Sequence, residues 1–101
     1  MGNSSHAGGI GTIASGSGQT VVGLFNTHNE TTSPFIVGGG DSNSVRKDAF
    51  KVTQNASIVV PPQNSIPSWT GTEGEMVPVI AGGQYWLFMY IGGQWRSSQF
   101  T

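Results

Sequence analysis

Nine charged side chains in 101 residues, with a formal net charge of −1, leave no basic stripe for nucleic acid. The length suits one domain, and the absence of cysteine excludes both a disulfide framework and thiolate metal sites. Five of the charges (Asp41, Arg46, Lys47, Asp48 and Lys51) fall in one short stretch, so the rest of the surface is almost neutral and rich in Gly, Ser, Thr and Asn. Soluble domains are about 25% charged, and a surface this neutral suits contact with neighbouring chains. Ten aromatic side chains, and the apolar run from Tyr85 to Ile91, argue against disorder.

Residues 1–9 are small and polar without alternation and read as a flexible arm. From Ile10 to Val22 the apolar residues are separated by glycines, which disfavours a helix by about 1 kcal/mol per interior glycine. Short strands joined by tight turns fit better. Phe25 to Pro34 reads as a polar loop. Phe35-Ile36-Val37 then pairs with Ala49-Phe50-Lys51-Val52 across a glycine-rich loop, with Phe50 and Val52 alternating around Lys51. Ser57 to Val60 is a further strand, stopped by Pro61-Pro62. Strands this short are not stable alone, and gain stability beside other chains or further turns of the same coil.

Residues 61–75 read as an extended polar connector containing Trp69. Residues 76–101 form a second module: Met76 to Ile80, a four-residue loop Ala81 to Gln84, a strand Tyr85 to Ile91, and a final strand after Gly92-Gly93. Pro78 implies an edge position or a bulge. Tyr85, Leu87, Met89 and Ile91 share one face of the central strand, and Trp86, Phe88 and Tyr90 the other. Both faces are apolar, so two covering layers are needed, and packing around a symmetry axis would supply one.

The segment Ala14-Ser15-Gly16, followed by Thr20, Val22 and Gly23, resembles the head repeat of trimeric autotransporter adhesins, which also recurs in bacteriophage tail fibres. Gln19 and Val21 depart from its commonest choices. Phe35-Ile36-Val37-Gly38, Arg46 and Ala49-Phe50-x-Val52 resemble a segment found downstream of such repeats in phage fibres, and residues 71–75 and 90–96 resemble modules of phage structural proteins. The resemblance implies an all-β homotrimer: a short-strand, glycine-rich β-helix or β-prism followed by a C-terminal antiparallel hairpin module, carried on a virion. It places Val21, Val22, Phe35, Val37, Phe50, Val52, Trp86, Phe88 and Tyr90 in the trimer core or interface. Arg46 and Asp48 become candidates for inter-subunit ion pairs, with an exposed solubilising loop as the plain alternative. Trp69 becomes a candidate anchor on a partner.

Other chemistry finds little support. His6 and His28 stand alone in polar loops, and solvated histidines explain them better than a metal site on a three-fold axis. Asp41-Ser42-Asn43 opens like a calcium loop but lacks its glycine and glutamate. Gly38-Gly39-Gly40 lacks the Lys-Ser/Thr of a phosphate loop. Nothing marks a nucleophile, so no enzyme activity and no cofactor are expected. No apolar run is long enough to span a membrane, and His6 stands where a myristoylation signal needs Ser or Thr.

The expected function is therefore a homotrimeric capsid decoration (cement) protein, binding the major capsid protein or other virion proteins at the capsid surface. A tail-fibre or spike tip that binds a host glycan is the alternative. Cement is preferred over a fibre because no shaft and no particle-attachment domain is visible in these residues, and a phage component over an autotransporter because no membrane anchor is. A free-standing lectin-like domain is a third reading.

Overall fold

The computed structural model describes all 101 residues, and it is all-β, without a helix. The chain divides into two units, residues 1–60 and 61–101. The first carries β1 (His6–Ala7), β2 (Thr20–Leu24), β3 (Phe35–Gly39), β4 (Asp48–Val52) and β5 (Ile58–Val59), which lie in that order in one sheet.

The first three strands are parallel and come from successive turns of the chain. His6 sits beside Thr20, and Thr20 beside Phe35, so one turn takes 14 residues and the next 15. Amides of one turn donate to carbonyls of the next, as Gly8 N–H does to Val21 O at 2.9 Å and Ile10 N–H to Gly23 O at 3.0 Å. Gly9, Gly23 and Gly38 form a column across the turns. A Cβ on Gly23, where φ is +95°, would lie 2.6 Å from Gly38 O, so the stacked turns leave no room for a methyl group there. After β3 the chain reverses. β4 pairs antiparallel with β3 through an irregularity at Val37/Gly38, and β5 pairs antiparallel with β4.

Residues 1–9, expected as a flexible arm, are instead the first of these turns. Gly2 N–H donates to Ala14 O, Gly18 N–H to Asn3 O and His6 N–H to Gln19 O. This pairing runs through backbone groups, so it leaves no side-chain alternation to read.

Alternation along β2 and β3 turns Val21 and Ile36 inward, where they are fully buried with Ala14. Two buried amides complete this small interior. Asn26 Oδ1 accepts from Ile13 N–H at 2.8 Å, and its Nδ2 donates to Ile13 O at 2.9 Å and Thr27 O at 2.7 Å. The side chain thus does for Ile13 what a neighbouring strand would. Gln19 Oε1 accepts from Ser15 and Gly16 N–H, while its Nε2 donates to Ser33 O, Glu30 O and the Glu30 carboxylate. No buried side-chain nitrogen or oxygen lacks a partner.

The second unit is an antiparallel meander of β6 (Met76–Ala81), β7 (Gln84–Ile91) and β8 (Gln94–Phe100). Its turns are Gly82-Gly83 and Gly92-Gly93, with φ of +60°, +73°, +67° and +80°. Positive φ at both central residues is what a type I′ turn needs, and its twist matches the strands it joins. The first loop is two residues rather than the expected four, because Ala81 pairs with Gln84. Residues 61–75 do not run free as a connector. Gln63 N–H donates to Pro78 O and Ile80 N–H to Gln63 O, both at 2.9 Å, along the outer edge of β6. Pro78 O faces that edge, and its ring nitrogen with it, so the ladder to β7 loses no donor.

Candidate functional site

The register of each sheet decides which side chains stand together. In the first unit, Val22, Val37 and Phe50 form one row across β2, β3 and β4. Phe35, Val52 and Ile58 form the adjacent row, with the Phe35 and Phe50 rings edge to face at 6.4 Å. Leu24 and Ile10 extend this face and are exposed. Of the candidates from sequence, Val22, Phe35, Val37, Phe50 and Val52 therefore share the outer face of the sheet, and all five are half-buried. Val21 points the other way, into the interior.

In the second unit the two faces of β7 differ in cover. Phe88 packs with Val77 and Val79, flanked by Trp86 and Trp95. Residues 69–71 lie over the far end of this face: Trp69 stacks edge to face on Trp95 at 5.4 Å, and Trp95 does the same on Tyr90 at 5.3 Å. Trp95 Nε1 donates to Trp69 O at 2.7 Å, and Gly71 approaches the Tyr90 ring closely. Trp86, Phe88 and Tyr90 thus belong to the side that the chain packs with its own residues.

The opposite face has no such cover. Its rows are Met76–Met89–Arg96, Pro78–Leu87–Ser98 and Ile80–Tyr85–Phe100. Met76, Ile80, Tyr85, Ile91 and Phe100 are between 45% and 57% exposed. Alternation in the sequence makes this face apolar through Tyr85, Leu87, Met89 and Ile91, which are not among the expected interface residues, because alternation does not show which side the chain itself covers.

The two charges considered for inter-subunit pairs are engaged within the chain. Arg46 donates to Gly11 O at 2.7 Å, Asn26 O at 3.1 Å and Asn43 Oδ1 at 2.6 Å, and its guanidinium lies 5.6 Å from the Phe25 ring centre. Asp48 accepts from Thr27 N–H at 3.0 Å and Thr27 Oγ1 at 2.8 Å. Together they hold the segment at 25–27 against the loop at 43–48. Trp69, the candidate anchor, donates Nε1 to Glu75 Oε2 at 2.9 Å and keeps 40% exposure.

Glu30 is a carboxylate with a shifted affinity for protons. Burial raises its pKa, but hydrogen bonds from Ser33 and Thr32 and the nearby Lys51 charge outweigh that, and hold it below the usual value. A shallow polar pocket of about 320 Å³ is lined by Thr27, His28, Asn43, Ser44 and Arg46. The Arg46 donors in it are already committed to backbone and Asn43 acceptors.

What the two outer faces offer is apolar area on a hydrogen-bonded frame, which suits association with another protein surface. No protein-family model, no curated protein and no solved structure matches this chain.

Proposed function

We propose that this chain is a structural protein of a bacteriophage virion that works as a homotrimer, decorating the capsid surface and bridging neighbouring capsomers. The observation that carries this is the pair of apolar sheet faces, one on each unit, that the chain does not cover with its own residues. Monomeric proteins rarely leave such patches open. The virion assignment draws on the likeness of residues 14–23 and 35–52 to adhesin and phage-fibre segments. The parallel stacking of β1, β2 and β3 is the geometry a head-repeat chain would need. The tail-fibre alternative would stack aromatic rings on sugars; Trp86, Trp95 and Trp69 are engaged with each other or with the meander core, which leaves Tyr85 and Phe100 on the open face as the rings for that role.

Light scattering of the purified chain tests the assembly, with a mass about three times 10.6 kDa expected. A stable monomer would sink the trimeric reading. Electron microscopy of the particle tests the location: density repeated over the shell supports decoration, and density confined to the tail refutes it. Glycan binding by the isolated trimer would move the assignment to the fibre tip.

A further inference from the structure

We infer that the copies of this chain join through the open face of the β6–β7–β8 meander, each copy's face being covered by the same face of its neighbours. This rests on the trimeric reading above and names the surface that would make it.

Size is the first reason. The second unit spans residues 61–101, and its buried core is Val77, Val79 and Phe88. Domains of about 40 residues bury too little surface to be stable without disulfides, metals or oligomerisation. The chain has no cysteine, and no group of three metal-binding side chains comes together. Of these remedies, association is the one its residues supply.

Area is the second. The five exposed apolar side chains of this face present on the order of 500 Å² of contact surface, at the upper end of what a monomer leaves in one patch. With the half-buried Pro78, Leu87 and Met89 added, the face offers on the order of 600 Å², most of the about 800 Å² per partner of a standard-size interface. On the first unit's face, by contrast, Val22, Phe35, Val37, Phe50 and Val52 already shield one another to half-burial.

Charge is the third, and it selects a second copy as occupant. Arg96 is the one formally charged residue in the three rows, and its Nε donates to Ile91 O at 3.0 Å beside the Gly92-Gly93 turn. The middle and far rows of the face are therefore neutral, and copies can meet there without opposing like charges, with Arg96 held at one end by its own turn. A partner chosen by charge would find only Arg96 to pair with.

The test is Ile80→Lys in the full chain, followed by light scattering and far-UV circular dichroism at micromolar concentration. The expected result is a folded monomer where the parent chain is a trimer, while Leu24→Lys on the first unit's face leaves the trimer intact. A trimeric Ile80→Lys overturns the inference and leaves the trimeric reading standing. A monomeric parent chain overturns both. A second variant guards against simple misfolding. Ile80→Cys carries the chain's only thiol, and its labelling by a bulky maleimide should be at least about tenfold slower than that of Ser68→Cys, since access governs thiol reactivity. Equal labelling rates in the two folded proteins refute the seam.

Discussion

Asn26 gives the sharpest test of how the first unit holds together. Its buried amide bonds both backbone groups of Ile13 at 2.8 and 2.9 Å, and Thr27 O at 2.7 Å. Asn26→Ala removes all three bonds and strands the Ile13 N–H and C=O. A stranded buried backbone group costs about 1–3 kcal/mol. Ile13 is half-buried, so water recovers part of that cost, and a total of about 2–4 kcal/mol follows. With a urea dependence of about 2 kcal/mol/M, the middle of the range for small proteins, the unfolding midpoint should fall by about 1–2 M. The measurement is urea unfolding followed by far-UV circular dichroism at fixed chain concentration, since association would otherwise shift the midpoint. Asn26→Asp at neutral pH should lose at least as much, because a carboxylate keeps the acceptor for Ile13 N–H but faces Ile13 O without a proton to donate. A midpoint change under about 0.3 M for Asn26→Ala would refute the reasoning, because Ile13 would then be satisfied some other way.

The remaining expectations concern single contacts. Gly23→Ala places a methyl group 2.6 Å from Gly38 O at a φ of +95°, and should cost more than about 2 kcal/mol. Gly18→Ala, at a φ of +69° with nothing within 4 Å, should cost about 1 kcal/mol, and equal losses in urea unfolding would remove the steric argument. Because the folded pKa of Glu30 lies below its unfolded value of 4.5, its stabilisation is fully present above that value and is lost as pH falls through the folded pKa. Glu30→Gln should therefore lower the unfolding midpoint at about pH 7 and flatten its decline toward about pH 3; an unchanged pH profile would refute the role. Glu73 accepts from Gly92 N–H at 3.0 Å and Gly93 N–H at 2.7 Å. Glu73→Ala should speed hydrogen exchange at those two amides about fivefold, the equivalent of about 1 kcal/mol, with other β7 and β8 amides unchanged.

The sequence was legible where side chains alternate. Phe50-Lys51-Val52 reads as a strand with one apolar face, and the structure places Phe50 and Val52 together opposite Val37 and Phe35. Residues 1–9 were not legible, because their pairing uses the backbone groups of Gly2, Asn3, His6 and Gly8, which carry no apolar alternation. Gln19 departs from the commonest choice in its repeat, but only the fold shows why an amide is needed: it satisfies two N–H groups at a turn and donates to three oxygens. Trp86, Phe88 and Tyr90 are legible as one apolar face, but the cover over its Tyr90 and Trp95 end comes from Trp69 and Gly71, far along the chain in a stretch of polar composition. Arg46 and Asp48 stood out as charges in a neutral chain, and their partners are carbonyls, an Asn side chain and a Thr, which charge counting does not reveal.

The 14- and 15-residue spacing of β1, β2 and β3 has an evolutionary consequence. Each turn meets its neighbours largely through backbone amides and a glycine in the shared column, with Ala7, Val21 and Ile36 packed together inside, so the frame of a turn can repeat. Tandem duplication of one such period would insert a new strand beside β2, provided the bonds that Gln19 and Asn26 make to neighbouring turns are kept. Each copy gained or lost would alter the reach of the first unit by about 4.8 Å, the spacing between paired strands. The stacked turns are in that sense a ruler whose length slippage during replication can adjust one notch at a time.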